Sequence, residues 1–210
     1  MKSYRTIFLL VLSLLGCSAS ASPEADFWAW FQLHEEEIFN FENNREVVFD
    51  KLTAQMHKVD SSLTFEFGSE EDGRREFTIS ADGNKEAFPS VEKLYAAAPE
   101  LKKWKIIKFR SRQVPADIKF QGVSVQAASV TVLLVKDGAK VELTVLIPGY
   151  MESKQESYGG IALLLLDHAI GEYDVEMHVG GIGVFAPSAQ YAGAISLAEL
   201  PKAFDELLGR

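Results

Sequence analysis

YGGIALLLLDHAIGEYDVEMHVG, residues 158–180, reads as an apolar helix that stops at Gly171, followed by a strand over 173–179. The helical part, 161–170, is apolar nearly all round, and such a helix is buried between other elements. Asp167 and His168 are its polar side chains, and both fall in the last turn. Histidine suits the negative end of a helix, whereas a carboxylate opposes it. Asp167, and Glu172 just past the glycine, therefore need a compensating positive group. Along the strand, period two puts Asp174, Glu176 and His178 on one face, with Tyr173, Val175, Met177 and Val179 on the other.

Working back from this stretch, the same plan of elements occurs twice. Leu63–Phe67 and Glu76–Ser80 alternate apolar and polar residues around a turn ending in Asp72-Gly73. A helix over 90–98, stopped by Pro99, and a strand over 104–110 complete the first half. After a linking strand at 118–120, a second hairpin pairs 130–135 with 141–147 around Asp137-Gly138. The helix and strand of the opening stretch close the second half. Each half thus reads hairpin–helix–strand. This predicts an α+β fold with one mixed, largely antiparallel sheet of about six strands and helices mainly on one face.

Upstream, Ser22-Pro23-Glu24 is a helix start, and Phe27, Phe31, Ile38, Phe41, Val48, Leu52 and Val59 recur at helical spacing. One or two helices are expected there, with a break near Asn43-Asn44. The FWAWF run (27–31) packs on the sheet, or else rests on a membrane. A last short helix is expected from about Pro201 to Leu208, and GGIG (180–183) falls after the last strand.

The first 22 residues give an address. Lys2 and Arg5 precede an apolar run, 7–15, too short to span a bilayer and suited to export. Leu14-Leu15-Gly16-Cys17 then matches a lipoprotein cleavage box, and Cys17 is the single cysteine of the chain. The expectation is cleavage before Cys17 and lipidation on it, to the outer membrane facing the periplasm if the organism has one. An ordinary cut after Ala21, which Ala19-Ser20-Ala21 fits, is the alternative. Residues 18–22 reach about 17 Å when extended, so a single domain over 23–210 sits close to the membrane. Formal net charge is −9 over 210 residues, with 47% apolar residues, which fits a folded acidic protein and argues against nucleic acid as partner.

The stretches FTISADG (77–83), FPSVEKL (88–94), AAPELKKW (97–104), IIKFR (106–110) and LLLDHAIGEYDVEMHVG (164–180) resemble a set of uncharacterised bacterial proteins. That resemblance spans about residues 27–185. It implies one domain and no activity.

Standard catalytic signatures are missing: no phosphate-binding glycine loop, no G-x-S-x-G, no H-E-x-x-H and no C-x-x-C. Ser80, Asp82 and His57 have no spacing that brings them together. The remaining candidates lie in the opening stretch. Asp167, His168, Glu172, Glu176 and His178 have the chemistry to hold a divalent metal, the one cofactor the sequence admits. Against this, Asp174, Glu176 and His178 fit the wet face of a strand, and Asp167 or Glu172 fits a structural ion pair with Lys108 or Arg110. Lys108, Arg110 and Arg112 share one face of the strand that closes the first half. The expected function is a lipid-anchored, non-catalytic binding module. Its partner would be an envelope protein, a cell-wall polymer or a small ligand. A metal-binding protein or metal-dependent hydrolase is the alternative, and inhibition of a toxin or enzyme by the acidic surface is an analogy only.

Overall fold

The computed structural model describes residues 22–210. Cys17 and the segment before it lie outside the described residues. The chain opens on α1 (Pro23–Leu33), α2 (Glu35–Phe39) and α3 (Arg45–Met56). Ser22 caps α1 by accepting from the Ala25 amide, Pro23 takes a first-turn place that needs no donor, and Glu24 and Asp26 favour the positive helix end. The helical run breaks at His34 and again through a 3-10 turn, Phe41–Asn44, the second break falling at the asparagine pair.

β1 (Thr64–Glu71) and β2 (Arg74–Ser80) form an antiparallel hairpin whose turn residues, Asp72 and Gly73, both have positive φ, as a tight hairpin turn requires. Then α4 (Phe88–Ala96) crosses over, and β3 (Trp104–Lys108) returns parallel to β2. A ribbon of β4 (Ile118–Phe120) and β5 (Val123–Val125) links to β6 (Thr131–Asp137) and β7 (Lys140–Leu146), again an antiparallel hairpin. The second crossover is α5 (Gln155–Ile170) followed by α6 (Glu172–His178), and β8 (Val179–Phe185) returns parallel to β7. A two-residue strand, β9 (Ile195–Ser196), and α7 (Leu200–Leu208) close the chain.

The fold is α+β, but the single sheet of about six strands is not formed. Three sheets are present among the described residues, ordered β1-β2-β3, β4-β5 and β8-β7-β6-β9. Nor is 173–179 a strand: residues 173–178 lie in α6 and Val179 opens β8, and the GGIG stretch lies inside β8 rather than after the last strand. The period-two face of Asp174, Glu176 and His178 therefore does not exist. On a helix, Asp174 meets His178 one turn on, at 3.7 Å.

Each half buries its own hydrophobic cluster, and the two differ in kind. The first is rich in aromatics. Phe77 is fully buried, and its ring lies within 6.4 Å of those of Phe27, Trp28, Phe31, Phe65, Phe67 and Trp104. The FWAWF run supplies Phe27, Trp28 and Phe31 to it. The second is mainly aliphatic, with Val132, Leu143, Val145, Ile161, Leu165 and Leu166 buried between the sheet and α5, and Leu200 and Phe204 of α7 beside them. α5 is buried as its composition requires, and it ends because Gly171 takes φ 87°, ψ 142°, a conformation side chains rarely allow. An added Cβ there would sit 3.5 Å from the Arg110 carbonyl, ordinary contact, so the cost of a side chain is in the backbone. We expect Gly171→Ala to lower stability by roughly 1–3 kcal/mol in urea unfolding. An unchanged midpoint would mean that the α5–α6 corner relaxes freely.

Candidate functional site

β3 ends at Lys108, and the next residue bends the chain out of the sheet. Phe109 has φ 60°, an uncommon left-handed value for a side-chain-bearing residue. Its amide donates to the Ile79 carbonyl at 2.8 Å, and its ring packs on Phe88 and on Tyr173 of α6. The bend delivers Arg110 to the first turn of α6. There the two halves exchange bonds. The Arg110 amide donates to Glu172 Oε2 at 2.9 Å, and the Glu172 amide donates to the Arg110 carbonyl at 3.0 Å. Glu172 Oε1 accepts from Ser80 Oγ and the Ala81 amide, both at 3.0 Å, with the Gly83 amide at 3.5 Å. A wholly buried carboxylate is thus surrounded by donors from the first half.

The Arg110 guanidinium, itself buried, serves three more acids. Nε donates to Glu66, Nη2 to Asp82 at 2.8 Å and Nη1 to Asp167 at 3.3 Å. Glu66 and Asp82 are 43% and 61% exposed, so water screens their share, whereas the Asp167 side chain is 2% exposed. Burial alone pushes the guanidinium pKa down. The bond and charge of Glu66, the charge of Glu172 and the bond to Asp82 outweigh it and hold the pKa above its ordinary value. Asp167 goes the other way from a typical ion-paired acid. Burial raises its pKa first, Glu172 adds to the rise, and Arg110 only partly opposes it, leaving the carboxyl at about 7. One arginine faces Glu66, Asp82, Asp167 and Glu172, and a proton on Asp167 relieves part of that excess.

The sequence candidates separate on this frame. Asp167 and Glu172 stand at Arg110. His168 is half-buried, its pKa lowered by burial against the opposing charge of Glu66, and its Nδ1 has no hydrogen-bond partner among the described residues. Glu176 lies beside Gly83, one helical turn from Glu172, and burial together with that neighbour's charge raises its pKa. His178 joins Asp174 instead. The proposed metal set therefore does not converge: among the described residues no three His, Cys, Asp or Glu side chains are placed to hold a metal ion. The space between Asp167 and Glu172 belongs to Arg110. Lys108 is not their partner either. It pairs with Glu92 of α4 at 2.6 Å, because the strand ends there and only the residues after the bend reach α6.

Arg112 supplies the cation for the helix end. Its Nε donates to the Ile170 carbonyl at 2.9 Å, and its other nitrogens pair with Asp174 and Asp205 at 2.7 Å. Glu66 and Ala81 were missing from the candidates, and Ser80 and Asp82, set aside in the sequence for want of a spacing that joins them, meet here at Glu172 and Arg110. Their sequence distances from Arg110 and Glu172, 28 to 92 residues, leave no local pattern to find. Comparison with protein-family models, with curated proteins and with solved structures gives no match.

Arg110→Ala removes the one cation shared by these acids. We expect a loss of roughly 1–3 kcal/mol in chemical denaturation, because buried Asp167 loses its hydrogen-bond partner while Glu172 keeps its backbone donors. Arg110→Lys should recover only part of it, since an ammonium lacks the guanidinium fork. Equal stability of all three proteins would exclude a structural role for the network.

The raised pKa of Asp167 also sets a pH dependence. In the unfolded chain this carboxyl titrates near 3.8; in the fold it holds its proton to about 7. Its contribution to stability is therefore complete below pH 3.8 and is lost as pH rises to about 7. Urea unfolding of wild type and Asp167→Asn at steps from pH 4 to 8 isolates this group from the other carboxylates. The stability of the wild type relative to the variant should fall across that range. Parallel curves would show that Asp167 ionises as freely in the fold as out of it.

Proposed function

We propose that the protein is exported, anchored through acyl chains on Cys17, and acts as a non-catalytic binding module of the cell envelope. One observation supports this reading above the others. The densest group of acid–base side chains, Asp167, Glu172 and Arg110, directs its bonds into the protein itself. A general acid or base must meet its substrate with a free lone pair or proton. Here the bonds fix the distance between two halves.

Along the same seam runs an open cleft of about 480 Å³, lined by Glu92, Lys108, Phe109, Arg112, Tyr173 and Asp174 among others. Clefts between packed units are common ligand sites. This one offers an aromatic wall, with Tyr173 45% exposed, and charges of both signs at its rim. We assign the partner's contact to this cleft: an envelope protein segment, a cell-wall polymer or a small ligand. The motifs that carry the resemblance to uncharacterised bacterial proteins line this cleft, and they imply no activity.

Two measurements test the proposal. Radiolabelled palmitate should enter the wild type and not Cys17→Ser. A photo-crosslinking residue at Tyr173 should give a discrete adduct in intact cells, whereas one at exposed Val47 on α3 should not. Label in both proteins would remove the anchor, and the same diffuse background at both positions would remove the cleft.

A further inference from the structure

The chain passes from its first half to its second along residues 110–117, which form neither helix nor strand. Each half keeps its own buried cluster. The side-chain acceptors at the seam, Glu172 and Asp167, come from the second half, and their donors, Ser80, Ala81 and Arg110, come from the first. Both acids are buried. Parting the halves here hydrates the two acids and separates Phe88 and Phe109 from Tyr173. It leaves Phe77 and Val145 covered, since these lie fully buried on the inner strands β2 and β7 of the two sheets.

The two acids are held differently. Glu172 accepts from two amides and a hydroxyl through both of its oxygens, as suits a group that accepts and does not donate. Asp167 has the 3.3 Å contact with Arg110 and no other side-chain bond among the described residues. Around it stand Glu66 of β1, Asp82 after β2, Arg110 after β3, Glu172 and Glu176 of α6, and His168 beside it on α5. Lys85 and Lys140 face Glu176. Arg110 is already bonded to Glu66 and Asp82, so a charge on Asp167 is a further like charge in a dry place, and a proton removes that cost.

We propose that Asp167 is a proton latch on the seam: protonated, it keeps the halves docked, and ionised, it lets them part about residues 110–117 while each retains its own core. The inference concerns the seam alone and holds with or without a partner in the cleft. Its sign follows from linkage. Docked, the carboxyl keeps its proton to about 7; hydrated in the parted form, it titrates near 3.8. Parting therefore releases a proton between those values. The parted fraction rises with pH across that window, by up to about tenfold per unit, and levels off above it. Glu176, whose pKa burial also raises, adds in the same sense, whereas His168, whose pKa burial lowers, opposes it.

Native-state hydrogen exchange on the full chain tests the latch. The amides of Ala81, Arg110 and Glu172 report the seam, and those of Phe77 and Val145 report the cores. In low urea the seam amides should exchange first, through an opening that depends weakly on urea because it exposes little surface. The core amides should exchange through full unfolding, with its steep urea dependence. After correction for the intrinsic rate, seam protection should fall between pH 4 and 7, and Asp167→Asn should lose most of that slope. The wild type alone decides the first arm, whatever the variant does. Equal urea dependence at seam and cores, a flat wild-type profile, or a slope that Asp167→Asn leaves unchanged would overturn the latch.

Discussion

Two residues 62 positions apart, Arg110 and Glu172, each take both a donor and an acceptor from the other side of the molecule. The buried polar side chains Ser80, Arg110 and Asp167 gather around that exchange. A buried carboxylate is tolerable only with its lone pairs occupied, and the amides of Ala81 and Arg110 and the Ser80 hydroxyl occupy them. The same geometry demands the left-handed Phe109, which turns the chain out of β3, and the glycine at 171, which lets α6 start immediately after α5. Strain at those two points is held in place by the bonds between them.

The two clusters of apolar side chains explain why such a seam is needed. A chain of this size could bury one core under one sheet. Here most of the buried aromatic residues lie in the first half, among aliphatic neighbours such as Leu52, Ile79 and Leu94, while the second cluster is mainly aliphatic. Hydrophobic burial therefore holds each half together and contributes less to their docking. Docking falls to Phe88, Phe109 and Tyr173, to Met177, which packs on the first cluster, and to the arginine network. Polar seams are directional where apolar ones are not, so the relative orientation of the halves is fixed by hydrogen-bond geometry.

The sequence was most legible where the signal is local. Asp-Gly turns, alternating strands, Pro99 after α4 and Gly171 after α5 are each decided within a few residues, and the hairpin–helix–strand order of both halves follows from them. The segment 173–179 was misread as a strand because Tyr173 to Val179 alternates apolar and polar over seven residues, too short for the two periods to be told apart. What selects the helix is tertiary: only as a first-turn residue does Glu172 present both its amide and its carboxylate to Arg110 and the 80–83 corner. The single sheet failed for a related reason. Nothing local says whether two similar units pair edge to edge, and here the edge of the first carries Lys105 and Lys108. The need of Asp167 for a cation could be seen in its place at the end of an apolar helix. The crowd of acids on that cation could not, since Glu66 and Asp82 are ordinary surface residues until the chain folds.

The buried carboxylate of Glu172 has a consequence for how such a chain can be divided in evolution. Judged by its apolar clusters, the molecule is two units that gene fusion or recombination should be able to separate. Judged by its hydrogen bonds, it is not. A first half on its own would keep Glu66 and Asp82 for Arg110 but would leave the amides of Ala81 and Arg110 without their acceptor, and a second half alone would leave the Glu172 carboxylate without its donors. Each half has thus become a cofactor for the other's polar interior, and the repeat can be inherited only as a pair.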